Sequence, residues 1–149
     1  MGATVRIAGE ADGVLLASLR REWAEEDAGR PIVDDSFEAS FASWLESEGR
    51  SRTFFVVEVD GHPVGMANLK EYARMPSPGR DPDAWGYVGN AFVRPEHRSA
   101  GVGAALMQAL TASAWQRGYD KLRLSPTPRA VPFYERLGFV PSALRQLDR

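Results

Sequence analysis

Residues 92–104 read FVRPEHRSAGVGA, and this stretch decides the fold. Its apolar start ends a predicted strand, Pro95 interrupts the chain, and Gly101 opens a predicted helix with apolar residues at helical spacing. The first turn of a helix carries unpaired N–H groups and the positive end of the helix dipole. Gly101 and Gly103 leave that backbone open and Arg98 adds a guanidinium, which suits a phosphate-binding helix start. Two glycines and an arginine can equally form a simple tight turn, so the pair alone does not decide between the two.

Two common nucleotide-binding motifs do not match this glycine pair. A Walker A loop has Lys and Ser or Thr directly after its last glycine, whereas Ala104 and Ala105 follow Gly103. A dinucleotide fingerprint needs a third small residue where Leu106 stands, and an acid at the tip of the next strand. That tip is formed by residues 124–126, Leu-Ser-Pro, which contain no acid.

The flanking sequence predicts alternating strands and helices in one α+β domain over residues 1–149. Two runs rich in β-branched and aromatic residues flank Asp60-Gly61, a strong hairpin signal. The predicted order is β-α-α-β-β-β-α-β-α-β, with no repeat or linker. The strands are expected at 4–8, 53–59, 62–72, 85–93, 121–124 and from 139, and the helices at 10–28, 37–49, 101–117 and around 133–137.

Composition excludes several classes of function. The chain has no cysteine, which removes disulfides, thiol nucleophiles and thiolate metal sites, and its two histidines have no metal-binding spacing. Its 18 basic and 20 acidic residues give a net charge of −2, which disfavours nucleic-acid binding. No apolar run approaches the roughly 20 residues that cross a bilayer. We therefore expect a cytoplasmic protein without a metal, a membrane segment or a nucleic-acid partner.

A second motif lies about thirty residues after the glycine pair, at residues 134–139, YERLGF. Together with Arg98-x-x-Gly101-x-Gly103 and its V-x-P-x-x-R approach, it resembles the GCN5-related N-acetyltransferase (GNAT) superfamily. The match is strongest over residues 85–140. The resemblance implies a central, mostly antiparallel twisted sheet flanked by helices and splayed at the cofactor-binding strand. It also implies acetyl-CoA as the acyl donor.

The resemblance assigns cofactor contacts to three segments. The backbone of the glycine-rich segment would hold the pyrophosphate, the strand before it would pair with the pantetheine amides, and the turn before the last helix would add polar contacts. Many relatives have an asparagine where this chain has Thr127, which can instead cap that helix, and the Phe92 side chain can simply pack in the core. The implied cofactor residues are Ala91, Phe92, Val93, Arg98, Ser99, Ala100, Gly101, Val102, Gly103, Ala104, Thr127 and Arg129.

The resemblance implies a catalytic mechanism in which the acetyl group passes directly from the thioester to an amine. In this mechanism Tyr134 acts as the general acid. A phenol with a pKa near 10 can protonate a departing thiolate. The alternative is a Tyr134 ring that packs on the sheet, with its hydroxyl bonded to a backbone carbonyl. Because the chain has no cysteine, a thioester on the enzyme is excluded.

The catalytic base is less defined. Relatives often carry a carboxylate on the strand before the cofactor loop, but residues 86–93 contain no acid, and Asn90 is their only strongly polar side chain. Glu71 on the preceding strand and Glu25 or Glu26 near the first two helices are the remaining candidates, although all three can be ordinary surface acids. Deprotonation through water is therefore the default expectation.

The acceptor is expected opposite the cofactor, as an amine of a small molecule or peptide. Acids and aromatic rings suit a cationic amine, and the residues assigned to it are Trp23, Glu26, Tyr72 and Trp85. The alternative function is a catalytically weak acyl-CoA-binding sensor or regulatory module. The family frequently forms homodimers, and no segment of this sequence marks an interface.

Overall fold

The computed structural model describes residues 2–149, in which the extended segments form one five-stranded sheet with order β1-β2-β3-β4-β5. The first four strands pair antiparallel, and β5 lies parallel to β4. The elements are β1 (Ala3–Ile7), α1 (Gly13–Ala28), α2 (Phe37–Glu48), β2 (Arg52–Val59), β3 (His62–Ala73), β4 (Ala84–Val93), α3 (Val102–Gln116), β5 (Leu122–Arg123) and α4 (Val131–Arg136). This confirms the predicted fold class, a mixed, mostly antiparallel sheet flanked by helices.

Helices cover both faces of the sheet because alternate residues of each strand point to opposite sides. On one face, α1 buries Leu16 and Leu19 against Met66 and Phe92. On the other face, α3 packs on a second cluster that includes Leu69. Each fully buried leucine contributes roughly 1.5–3 kcal/mol relative to an exposed one, so the two clusters hold the helices firmly on the sheet.

A bulge in β4 opens the sheet. Met66 pairs with Phe92 and Asn68 with Gly89, so three steps along β4 oppose two steps along β3. Asn90 lies in the bulge with φ of 53°, a left-handed conformation that asparagine tolerates better than most residues. The pairing of β4 with β5 covers only two residue pairs and ends at Tyr87, so residues 88–93 have no partner on that side. The predicted splay is confirmed.

The last predicted strand is wrong. Within the described residues the structure has no strand or helix after α4. Gly138, with φ of 96°, turns the chain, and the Phe139 amide donates to the carbonyl of Tyr134 at 3.1 Å. Phe139 therefore ends the helix rather than beginning a strand. The next residues are Val140, 81% exposed, and Pro141, which has no amide to donate to a neighbouring strand.

None of the helices in residues 2–149 combines the length and apolar character needed to cross a bilayer.

Candidate active site

The start of α3 is an open helix end of the kind that can bind an anion. Gly101 precedes the helix with φ of 81°, and no side chain caps it. The amide of Ala105 donates to the Gly101 carbonyl at 3.0 Å, as the first bond of the helix ladder. The amides of residues 102–104 precede that bond and are left to a ligand. The helix dipole adds positive potential at the same place.

A cleft of about 700 Å³ lies between β4, the start of α3 and α4; we call it the first cleft. Ten of the twelve predicted cofactor residues line it: Ala91, Phe92, Val93, Arg98, Ser99, Gly101, Gly103, Ala104, Thr127 and Arg129. Ala100 and Val102 do not. The Val102 side chain is buried in the core, so only its backbone amide can serve the cleft. Sequence reasoning missed Arg136, which also lines this cleft and lies two residues beyond Tyr134.

Arg98 stands at the rim of the first cleft, where other residues fix its position. Its Nε donates to the carbonyl of Val93 at 2.8 Å, and Nη2 donates to Glu26 at 2.8 Å. Its guanidinium also lies 5.6 Å from the centre of the Phe92 ring. Glu26, predicted to bind the acceptor, is therefore the partner of Arg98 at the first cleft.

Tyr134 lies where two clefts meet. Together with Ala91, Thr127 and Ala130 it lines both the first cleft and a second cleft. Phe133 and Phe139 hold its half-buried ring edge-on, with ring centres 5.0 and 5.7 Å away. No protein group in the described part of the chain hydrogen-bonds its hydroxyl, and burial raises the pKa of this phenol above 10. Tyr134 is therefore a protonated donor at neutral pH, with its hydroxyl unoccupied by other residues.

The second cleft, of about 410 Å³, lies on the α1 side of the sheet and is bounded by β3, β4 and the chain after β5. Beneath its lining residue Asn90 lies the buried Asn68, whose Nδ2 donates to Oδ1 of Asn90 at 2.8 Å. Arg52 donates from Nη1 to Oδ1 of Asn68 at 2.7 Å. This chain of hydrogen bonds holds the bulge residue Asn90 from below.

Two cations line the second cleft and share one carboxylate. Arg52 binds Glu48 at 2.9 Å, and Lys70 binds its other oxygen at 2.8 Å. These hydrogen bonds, first from Lys70 and then from Arg52, lower the pKa of Glu48. Tyr87 closes the opposite wall by donating to Oγ of Ser125 at 2.9 Å. These residues carry functional groups of the cleft that sequence reasoning missed.

Of the residues predicted to bind the acceptor, two line the second cleft. Trp23 lines it and stacks on Phe92 with ring centres 6.0 Å apart. Tyr72 also lines it, and Trp85 stacks on Tyr72 at 4.7 Å but does not line the cleft itself. Trp85 therefore contacts the cleft residue Tyr72 without reaching the cleft itself.

The candidate catalytic acids are used elsewhere. Glu71 accepts a hydrogen bond from the Tyr119 hydroxyl at 2.6 Å, on the α3 side of the sheet. The strand period of two places it on the face opposite Lys70. Glu25 accepts from the amide of Ile32 at 2.8 Å. Neither acid lines either cleft.

Residues 2–149 contain no group of three or more His, Asp or Glu side chains that could hold a metal ion.

Comparison with known proteins places these features in a wider group. The chain matches the model of the Acetyltransferase (GNAT) family over residues 16–139. It is 32% identical over 101 residues to the glucosamine 6-phosphate N-acetyltransferase of Trypanosoma brucei brucei, covering 68% of this chain and 67% of that protein.

Two solved structures extend the comparison over almost the whole chain. A GCN5-related N-acetyltransferase from Ralstonia eutropha JMP134 is 29% identical, with a TM-score of 0.75 and 99% of each chain covered. A predicted acetyltransferase from Clostridium acetobutylicum, solved with acetyl-CoA, shares the fold. Its TM-score is 0.78 at 19% identity, over 99% of this chain and 96% of that one.

Proposed function

The chain belongs to the GNAT family of acetyltransferases and is an acetyl-CoA-dependent N-acetyltransferase, and we propose that its acceptor is a small-molecule amine bound in the second cleft. The observation that carries this proposal is the position of Tyr134, which lines both clefts. A donor in the first cleft and an amine in the second would meet at this side chain. Holding two reactants together in this way can lower a barrier by as much as about 7–11 kcal/mol.

The first cleft suits acetyl-CoA. The uncapped amides of residues 102–104 fit the pyrophosphate, with Arg98, Arg129 and Arg136 available for further phosphate contacts. The unpaired edge of β4 at residues 88–93 fits the amides of the pantetheine arm. When bound, acetyl-CoA supplies an acetyl group activated as a thioester.

Tyr134 serves as the general acid. The carbon–nitrogen bond to the amine forms as the carbon–sulfur bond breaks, and Tyr134 gives its proton to the leaving sulfur, whose conjugate acid has a pKa near 8.5. No carboxylate lines the second cleft within the described residues, so water takes the proton that the amine loses. Asn90, held by Asn68, is a polar group at this cleft that can orient that water.

The second cleft favours a small molecule over a peptide. Its volume of about 410 Å³ falls in the range of about 300–1,000 Å³ typical of small-ligand sites. The Trypanosoma brucei relative is named for an amino-sugar acceptor, which agrees with this size class. We also propose that the enzyme works in the cytoplasm, where acetyl-CoA is available. The homodimer stays a prediction.

Thiol release from acetyl-CoA, measured over a panel of small amines, tests the proposal. We expect Tyr134→Phe to lower kcat by about 100-fold, the lower end of general-acid effects, because a thiolate is a good leaving group. The Kd for acetyl-CoA should stay within about twofold, because the ring still lines the cleft. Tyr119→Phe removes a phenol that lines neither cleft and is the matched control.

Two results would contradict these assignments. An unchanged kcat in Tyr134→Phe would remove the general-acid role. Binding of acetyl-CoA without thiol release for any amine would favour the sensor instead of the enzyme.

A further inference from the structure

The second cleft carries a positive charge that acetyl transfer itself does not require. We propose that the acceptor carries an anionic group, a carboxylate or a phosphate, which Lys70 and Arg52 bind at the end of the second cleft away from Tyr134. This inference rests on the proposed role of the second cleft as the acceptor site.

The sheet register brings the two cations together. Arg52 on β2 and Lys70 on β3 are directly opposite each other, and Tyr87 on β4 is the next residue across. Like charges that face each other across strands destabilise a sheet. A pair of this kind in a cleft therefore needs negative charge nearby.

Glu48 neutralises only one of the two positive charges of Arg52 and Lys70. Its two oxygens bind Arg52 and Lys70 at 2.9 and 2.8 Å, which leaves the three side chains with a net charge of +1. Arg52 donates from Nη2 to Glu48 and from Nη1 to Asn68, whereas its buried Nε has no hydrogen-bond partner in the described part of the chain. Lys70 has three N–H donors, and Glu48 accepts from one of them. An anion in the cleft would satisfy the remaining donors of Lys70 and balance the charge.

The surroundings add positive rather than negative charge. The Arg20 guanidinium lies 4.4 Å from the ring centre of Trp23, which lines the cleft. Arg123 lies 4.8 Å from the ring centre of Trp85, which stacks on the cleft residue Tyr72. Three acids of α1 have partners elsewhere: Glu22 accepts from Arg94, Glu26 accepts from Arg98, and Glu25 accepts from the loop after α1. Positive charge therefore predominates among the charged side chains at and beside the cleft.

The positions of the cations also set the shape of the acceptor. Lys70 lies opposite Tyr87, whereas the junction at Tyr134 is reached at Ala91, beyond the bulge. Along β3 this separation is about three residues, or about 10 Å at 3.3 Å per residue. The anion therefore sits several bonds away from the amine, farther than the carboxylate of an α-amino acid lies from its own nitrogen.

Three acceptors on one scaffold test the proposal: tyramine O-phosphate, 4-(2-aminoethyl)benzoate and the neutral 4-(2-aminoethyl)benzamide. All present the same primary amine and differ only in the distal group. We expect kcat/KM for at least one anionic acceptor to exceed that for the amide about tenfold at low salt. The ratio should fall as salt rises, because screening weakens the attraction. The phosphate and carboxylate arms show which anion the cleft prefers.

Lys70→Gln locates the effect. We expect this variant to raise KM for the preferred anionic acceptor about tenfold and so to remove the preference over the amide, while the Kd for acetyl-CoA in the first cleft stays at the wild-type value. Lys70→Arg should retain the preference. Lys121→Gln makes the same substitution at a lysine outside both clefts and is the matched control.

The Kd of each acceptor, measured in the absence of turnover, provides a second test of the proposal. Trp23 lines the cleft, so quenching of tryptophan fluorescence can report the Kd of each acceptor with wild type alone if Lys70→Gln does not fold. Equal Kd or kcat/KM values for the amide and both anions would overturn the inference and leave the proposed function intact. Absence of thiol release with every amine would overturn the proposed function, while the Kd values would still decide whether the cleft binds anions.

Discussion

Replacement of Gly101 by alanine tests whether the left-handed backbone at the start of α3 is needed to bind acetyl-CoA, because the added methyl group itself causes no steric clash. Gly101 has φ of 81°, and a Cβ built there would meet no atom within 4 Å. The substitution therefore introduces no clash and acts only through the left-handed backbone. If the residue relaxes toward negative φ, the amides of residues 102–104 turn away from the first cleft.

The magnitude follows from the cost of the left-handed conformation, roughly 1–2 kcal/mol for a residue with a Cβ. In a chain of this size, 1 kcal/mol lowers Tm by about 2–4 °C. We therefore expect Gly101→Ala to lose about 2–8 °C. If relaxation disrupts one or two hydrogen bonds to a charged phosphate, each worth about 1.5–3 kcal/mol, the Kd for acetyl-CoA rises at least tenfold.

Gly29→Ala is the matched control. Gly29 ends α1 with φ of 68°, also has nothing within 4 Å of a built Cβ, and lines neither cleft. Thermal unfolding should show similar losses of Tm for both variants. Titration calorimetry with acetyl-CoA should show a weaker Kd for Gly101→Ala alone. If both variants lose the same stability and both keep the wild-type Kd, the helix start does not hold the pyrophosphate as argued.

Three further predictions concern pH and packing. Burial raises the pKa of Tyr134, so its protonated form persists to higher pH than that of an ordinary phenol, whose pKa is near 10; we expect no loss of kcat from deprotonation of this group below about pH 9, and a decline that begins below that pH would contradict this. Hydrogen bonds from Arg6 and the Gly9 amide lower the pKa of Asp12 to about 2, so its stabilisation is complete above pH 4 and is lost as pH falls toward 2. Asp12→Asn should therefore lower Tm at pH 7, and the gap from wild type should shrink by pH 2; a constant gap would refute the reasoning. A Cβ at Gly86 would lie 2.5 Å from Leu69 and 2.9 Å from Leu122. Gly86→Ala should therefore lower the free energy of unfolding, measured with denaturant, by about 1–3 kcal/mol and loosen the pairing of β5. An unchanged unfolding midpoint would show that β5 adjusts freely.

Local signals were sufficient for the first cleft. Gly101 and Gly103 mark the place where the backbone is open, Pro95 separates strand from helix, and the tyrosine motif positions Tyr134 by its helical spacing. All of these depend on residues close together in the chain. The predicted final strand failed because a glycine and an apolar residue after a helix serve equally well as a helix end, as Gly138 and Phe139 do.

The second cleft could not be predicted in the same way because it depends on register. A hairpin counted from Asp60-Gly61 places Arg52 opposite Leu69. In the structure a bulge at Val64 shifts the pairing by one residue and brings Lys70 opposite Arg52. Because side chains alternate along a strand, a one-residue shift moves each of them to the other face. The pairing of Glu26 with Arg98 was equally hidden from the sequence, because the two residues lie 72 positions apart in the chain.

The sequence by itself therefore determined the helix start, the placement of Tyr134 on the last helix and the order of elements up to residue 136, since each rests on contacts within a few residues. Only the tertiary structure decided the charge and shape of the second cleft. Lys70, Arg52 and Glu48 come from three different elements, and their meeting depends on a bulge and on packing between sheet and helices. The packing energy that fixes such an arrangement is the sum of many weak contacts throughout the core, so it cannot be predicted from a short stretch of sequence.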